Sequence, residues 1–518
     1  GNNGQYVIFQ APLEMPAGKD VIEIKIKVKV MNPAGERHDP EKTSKEFILT
    51  IYRPGVKLSH PDFLWLPLDN NSLELKSELM YKVGGKWLPA LSHMCRIHYF
   101  ELMNVSMEKG VCLNNPVPKD ADQCRDLQLK HENGHEAWDD AKASNTKCDT
   151  KGLYQQARTK QPVKEYSITI HSRDFGAYGF LRSFANVNKK TSQEGKPVYV
   201  SIPVTKDDVK HPKGRMKKTV YPDNRVTIPM DIDENRIADG GWMVTGGGRV
   251  PDPANNNEDD DDLPAGDGFK GDGLSSYEEY RGFMVLDGDD IVHTRTSHLK
   301  KDIFVRNESG LDLSVYQKVS GLQVHEINDK QYVDDNLRVV NKNFNPTTHI
   351  VDQRGLRLVD RKESGSLLGI AESETGHPTV PNREKEIKVF SKKIAEVCKD
   401  KKIDFASKMA AVVAHELLHG NNVCHHGEQD PSKENSFDLV HGLRSGNVSC
   451  VMRYDNVGNP LRGFNPEQIG SALCSSPAGT GYNANGNAFK DAATKRGNCI
   501  GQIRVSGKGA TPKSCGNR

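Results

Sequence analysis

The residues best equipped for chemistry stand together near position 415. In "AAVVAHELLHGNNVCHH" two histidines, His415 and His419, lie four apart with Glu416 between them. On an α-helix residues four apart share a face, so both imidazoles reach a common point. Two neutral imidazoles at that spacing hold zinc. A glutamate set between them lies too far round the helix to ligate easily and takes a proton from the zinc-activated water. The bland alternative is a solvated or core helix that carries two satisfied histidines.

The residues after the helix bear on that choice. Gly420, Asn421 and Asn422 break it, because Gly and Asn tolerate a left-handed turn, and His425 comes ten residues after His415. This spacing resembles the metzincin family of zinc endopeptidases, HExxHxxGxxH, in which the third histidine returns after a tight turn to complete the zinc site. Asn422 stands where the family usually has Gly, and Asn is the residue most tolerant of that backbone conformation after Gly. Downstream, "SCVMRYD" matches the family's Met-containing turn. The resemblance implies that Met452 forms a hydrophobic floor. It also implies that Tyr454, as in the astacin and serralysin branches, ligates the zinc or stabilises the oxyanion.

Other third ligands fit less well. His426 adjoins His425, and the spacing favours His425. Asp430 lacks the pattern around it that aspartate-type sites carry, and Glu434 comes too early for a glutamate ligand on a second helix. With His415, His419 and His425 as neutral ligands, zinc keeps its full charge and an open position. Glu416 then serves as general base and passes the proton to the leaving amine. The expected activity is a secreted zinc metalloendopeptidase acting on protein or peptide. The rival is a cell-surface structural or adhesive protein whose zinc domain is inactive or latent, with Cys424 or a cysteine of the 110–163 loop as a blocking ligand.

These residues need elements to hold them. Residues 404–419 contain no Pro or Gly, place apolar residues at helical spacing, and begin at Asp404, a good N-cap. Upstream, "KKDIFVR", "LRVVNKNF", "THIVDQRGLRLVD" and "EIKVF" read as strands among helical runs, an α+β pattern, and "EIKVF" is a candidate edge strand for an extended substrate. The first part of the chain reads as all-β: "YVIFQAP", "VIEIKIKVKV", "FILTIY", "SLELKSELMYKV", "MCRIHYFELMNVSM", "EYSITIHS" and "PVYVSIPV" have strand patterning and turn clusters between them. "GQYVIFQAP" resembles the second half of bacterial immunoglobulin-like repeats.

The expected fold class is therefore multidomain, with N-terminal all-β immunoglobulin-like sandwich modules followed by an α+β metzincin-like domain. The divisions are 1–57, a first β module; 58–205, a second with a Cys-rich insertion at 110–163; 206–300, an Asp- and Gly-rich connector; and 301–518, the peptidase domain. In the insertion, His131 and His135 read as exposed.

The connector carries two half-formed calcium loops. "DIDENRIAD" sets Asp231, Asp233, Asn235 and Asp239 at positions one, three, five and nine of an EF-hand-like loop. "GFKGDGLSSYEE" sets Asp272 and Glu279 at five and twelve. The pair resembles the Asp-rich calcium loops of secreted bacterial proteins, and the competing reading is an acidic, solvated linker.

Composition bounds the rest. The 518 residues carry 71 basic and 69 acidic side chains, a formal charge of +2, so no global field recruits nucleic acid or anionic membrane. No apolar run is long enough to span a bilayer. The start at Gly1 shows no signal-peptide pattern, so any export signal was removed or never there. Ten cysteines without a CxxC pair favour disulfides in an exported protein over thiolate zinc sites. The β modules are candidates for binding a surface or polymer.

Overall fold

The computed structural model describes residues 19, 21–29, 44–92, 94–115, 124–130, 132–137, 153–186, 225–231, 234–242, 263–264, 271–334, 336–341, 349–362, 365, 367–373, 380–423, 426–427, 443–444, 449–454, 470–473, 482–483 and 499–506. The protein is β-rich, with several sheets and few helices, and its chain divides into two units.

The first unit comprises residues 1–106, 124–173 and 177–232. Its strands are β1 (Val21–Lys29), β2 (Ser44–Leu58), β3 (Ser72–Val83), β4 (Lys86–Pro89), β5 (Ile97–Met103), β6 (Leu127–Lys130), β7 (His135–Glu136), β8 (Leu153–Tyr154), β9 (Gln156–Thr159), β10 (Glu165–Ser172), β11 (Gly179–Asn186) and β12 (Arg225–Ile228). One antiparallel sheet runs β1-β2-β3-β10-β6-β8 with β4 on β3, and a second runs β12-β11-β5-β9-β7. Alternation decides which faces turn inward: Leu73 and Leu75 of β3 and Ile168 and Ile170 of β10 are buried between more exposed neighbours. They meet Phe100, Leu102, Leu181 and Val226 of the other sheet in one core, which makes this unit a two-sheet sandwich.

Two sequence expectations change here. The boundary at 57/58 falls inside β2, whose end pairs with β3 from Arg53↔Lys82 to Leu58↔Ser77, so residues on both sides belong to one sheet. His135 is buried, with its ring nitrogens bonded to the Tyr166 hydroxyl at 2.8 Å and the Lys130 carbonyl at 2.9 Å. A polar stretch hid it because one partner, Tyr166, comes from β10, thirty-one residues on. "YVIFQAP" and "PVYVSIPV" lie outside the described residues.

The second unit comprises residues 107–123, 174–176 and 233–518. It contains α1 (Ser276–Arg281), β13 (Phe283–Asp287), β14 (Asp290–Thr294), β15 (Asp302–Asn307), α2 (Ser314–Ser320), β16 (Gln323–Ile327), β17 (Leu356–Asp360), β18 (Gly369–Ser373), β19 (Glu384–Val389), α3 (Ser391–Lys401) and α4 (Phe405–Gly420). The sheet order is β14-β13-β16-β15-β17-β19-β18, parallel from β16 through β19 and antiparallel at both ends. Thus α1, β13 and β14, expected in a connector ending at 300, belong to this unit. "EIKVF" becomes β19, an interior strand, and the strand at the end of the sheet is β18. "LRVVNKNF" forms no strand over its described residues. Arg338 adopts a left-handed φ of 56°, and Val339 makes only isolated bridges to Asp334 and Arg354.

The core of this unit sits between the sheet and α4. Val412, Val413, Leu417 and Leu418 pack with Ile387, Val389, Leu356 and Leu358, joined by Val451, Met452, Ile503 and Val505 from the far end of the chain. The Gly- and Asn-rich stretch 473–505 reads as a lid, a wall of the substrate cleft or a surface extension, and its end, 499–505, is described. Instead these residues enter the core, because "IRV" carries buried apolar side chains. Cys124 is disulfide-bonded, Cys95, Cys112 and Cys398 are thiols, and the buried Cys450 and Cys499 bring their Sγ atoms to 3.8 Å. Among the described residues no helix is long and apolar enough to cross a membrane.

Candidate metal centre

Helix α4 begins where the sequence indicates. The carboxylate of Asp404 accepts the Ser407 N–H at 2.8 Å, satisfying one of the first-turn donors, and hydrogen bonding from the Ser407 side chain and then its N–H holds the Asp404 carboxyl below its usual range. From Lys408 to Gly420 every residue is buried, in a helix packed against α2, α3 and strands β17, β18 and β19. The helix stops at Asn421, and Asn422 takes a left-handed φ of 69°, the conformation the turn demands.

The turn is fastened by the chain's last described segment. Asn421 donates from its amide to the Arg504 carbonyl at 3.2 Å and receives the Arg504 N–H on its own carbonyl at 3.0 Å, and Asn422 donates to the Gln502 carbonyl at 3.2 Å. The Tyr316 hydroxyl of α2 donates to the Asn421 side-chain oxygen.

The two histidines are oriented by backbone carbonyls. His415 Nδ1 lies 2.8 Å from the Val451 oxygen, and His419 Nδ1 lies 2.9 Å from the Val423 oxygen. A carbonyl only accepts, so each Nδ1 carries the proton and each neutral ring presents its Nε2 lone pair. Those two Nε2 atoms converge to 3.1 Å, with the ring planes at 88°. This is how two imidazole ligands of one cation are held, with the second nitrogen of each anchored to a carbonyl.

Glu416 lies on the side of α4 that faces β18. Its carboxylate accepts the Ala371 N–H, and burial pushes its pKa up to about 8 against that hydrogen bond.

Met452 is fully buried in the same hydrophobic cluster as α4. For Tyr454 only the backbone is described. The two-residue strand Arg453–Tyr454 runs parallel to His426–Gly427, with His426 opposite Arg453 and Gly427 opposite Tyr454. The chain therefore returns to the Met452 segment directly after position 425. His425 and Cys424 lie outside the described residues.

The calcium expectation resolves differently from its sequence form. Asp233 lies outside the described residues. Asp231 is buried and bonded through its N–H to Thr227 Oγ1 at 2.9 Å, Asn235 accepts the Ile237 N–H at 2.7 Å, and Asp239 is half-buried. Asp272 and Glu279 do come together, and Asp302 joins them: one oxygen from each lies within 4.8 Å of the others, and all three residues are buried. Asp272 is fixed by N–H groups of Leu274 at 2.9 Å and Asp302 at 2.7 Å. His325 contacts Asp302 from the neighbouring strand, while burial raises the Asp302 pKa. Three oxygens so placed could ligate a hard divalent cation. Sequence reasoning misses Asp302 because it opens a strand thirty residues on, where no local pattern marks it.

Comparison with known proteins gives no assignment: no protein-family model matches the chain, and no curated protein or solved structure does.

Proposed function

We propose that the protein is a zinc-dependent endopeptidase of metzincin type. The observation that carries this reading is the convergence of His415 and His419 Nε2 at 3.1 Å, with both Nδ1 atoms tied to carbonyls. His415 and His419 hold the metal, and His425 is the third ligand by its place in the motif. When bound, zinc supplies Lewis acidity, which makes water a better nucleophile and polarises the scissile carbonyl.

The chain's own groups do the remainder. Glu416 accepts the proton of the attacking water and delivers it to the departing amine. Tyr454 donates to the oxyanion as it develops. Met452 packs in the apolar layer with α4. The substrate, in extended form, adds along β18, the strand at the end of the sheet, whose Ala371 already contacts Glu416. The protein works outside the cell, and the β-sandwich unit binds a surface or polymer. Calcium occupies Asp272, Glu279 and Asp302, a reading favoured by the burial of all three carboxylates at one point.

The test is zinc content and cleavage of an unfolded protein for the parent, Glu416→Ala and His419→Ala. One zinc per chain in parent and Glu416→Ala, none in His419→Ala, and cleavage by the parent alone support the proposal. Zinc without cleavage in the parent would favour the latent or structural alternative, and a parent that binds no zinc ends both.

A further inference from the structure

Strand β18 approaches Glu416 so closely that one of its residues has no room for a side chain. A Cβ built at Gly369 would lie 2.6 Å from Glu416 Cγ, 2.9 Å from Cδ and 2.8 Å from Oε1. These are not distances that carbon atoms keep, so any residue other than Gly must displace the Glu416 side chain or push β18 away. Gly369 pairs with Val389 and Ala371 with Ile387 in the β18–β19 ladder, so moving the strand would break register with an interior strand. The side chain that yields is Glu416. Two residues along the strand, Ala371 donates its N–H to the same carboxylate.

We propose that Gly369 is the positioning residue for Glu416: its missing side chain leaves the volume in which the carboxylate lies against the Ala371 N–H. This rests on the reading of Glu416 as the proton-transfer group. No sequence motif marks the position, because "SLLGIAES" is separated from the helix by roughly thirty residues of chain. The consequence is specific. A methyl group at 369 should misplace the base without touching the metal ligands, lowering turnover rather than substrate affinity, since small misplacements of a catalytic group cost up to about a hundredfold.

The experiment uses the full-length parent, Gly369→Ala, Glu416→Ala and the Gly369→Ala/Glu416→Ala double variant, with zinc content, thermal midpoint and steady-state kinetics measured on each. The expected result for Gly369→Ala is zinc content equal to the parent, KM within about twofold and kcat lower by roughly ten- to hundredfold. Its midpoint should fall by about 2–4 °C from the parent. In the Glu416→Ala background, where the overlapping atoms are gone, the same substitution should leave the midpoint unchanged. If Gly369→Ala fails to fold, folding of the double variant supports the contact, and failure of both overturns it. Parent-like kcat in Gly369→Ala, or an equal midpoint loss in both backgrounds, also overturns the inference. A parent without zinc or cleavage would sink the peptidase proposal, while the midpoint comparison still decides whether Gly369 sets the position of Glu416.

Discussion

His415 Nδ1 and the Val451 carbonyl oxygen are 2.8 Å apart, so the ring proposed to hold zinc is aimed by a residue thirty-six positions away that adjoins Met452. The Val451 segment is itself held by close backbone approach. Val451 donates its N–H to the Ala472 carbonyl at 3.0 Å, and a Cβ at Gly470 would fall 2.5 Å from Val451 Cγ1 and 2.8 Å from its Cα. Gly470→Ala should therefore shift Val451 and loosen the His415 ring. Loss of such an outer partner weakens metal binding by about 10- to 100-fold. Zinc competition against a chromogenic chelator measures this, and unchanged affinity in a folded Gly470→Ala protein would show that Val451 does not govern the ring.

Arg281 and Asp174 form a fully buried ion pair, with Arg281 Nη2 2.5 Å from Asp174 Oδ2 and further hydrogen bonds to the Lys109 and Gly110 carbonyls at 2.9 and 3.0 Å. Removing one partner leaves the other charge buried, which costs about 3–5 kcal/mol. Arg281→Ala should lower the unfolding free energy of this unit by that amount, as read from denaturant titration. Replacing both partners with apolar residues should restore part of it. A single variant as stable as the parent would contradict the burial of the pair.

Asp272, Glu279 and Asp302 should respond to calcium. Titration calorimetry of the zinc-loaded parent with calcium chloride is expected to show one site, and Asp302→Asn should weaken it by an order of magnitude or more, because one of three anionic ligands becomes neutral. Calcium at millimolar concentration should raise the thermal midpoint of the parent but not of the variant. Identical titrations for the two proteins would remove Asp302 from the site.

The local parts of this arrangement were legible in the sequence, and the non-local ones were not. Helical spacing, the Asp404 cap and the Asn422 turn depend on neighbours within a few residues, and the structure has all three. Strand periodicity found β3 and β10 to the residue. It could not say that β19 is interior and β18 terminal, since alternation reports which side of a strand is covered, not what lies along its edges. Val451, Gly369, Ala371 and Asp302 act on residues brought close only by sheet order and loop return. None of them belongs to a residue type or spacing that announces a role.

Acid should weaken the sandwich unit through His98. This ring lies fully buried on β5, bonded to Ser77 Oγ at 2.9 Å and the Val163 carbonyl at 3.3 Å. Ser77 in turn meets Ser183 Oγ at 2.6 Å, so the chain of hydrogen bonds links the two sheets. Burial lowers the His98 pKa from 6.5 to about 4, against the smaller opposite pull of the Val163 carbonyl. Above pH 6.5 the ring is neutral in both folded and unfolded chains, and the full stability is present. As pH falls, the unfolded chain binds a proton that the folded chain refuses, and stability declines until about pH 4, where the folded ring also becomes charged. The loss amounts to roughly 3 kcal/mol. Urea unfolding of the parent and of His98→Gln at about pH 7, 5.5 and 4 should therefore show a stability difference that narrows or reverses as pH falls. A difference independent of pH would mean that His98 titrates normally and that the hydrogen-bonded chain does not exclude its charged form.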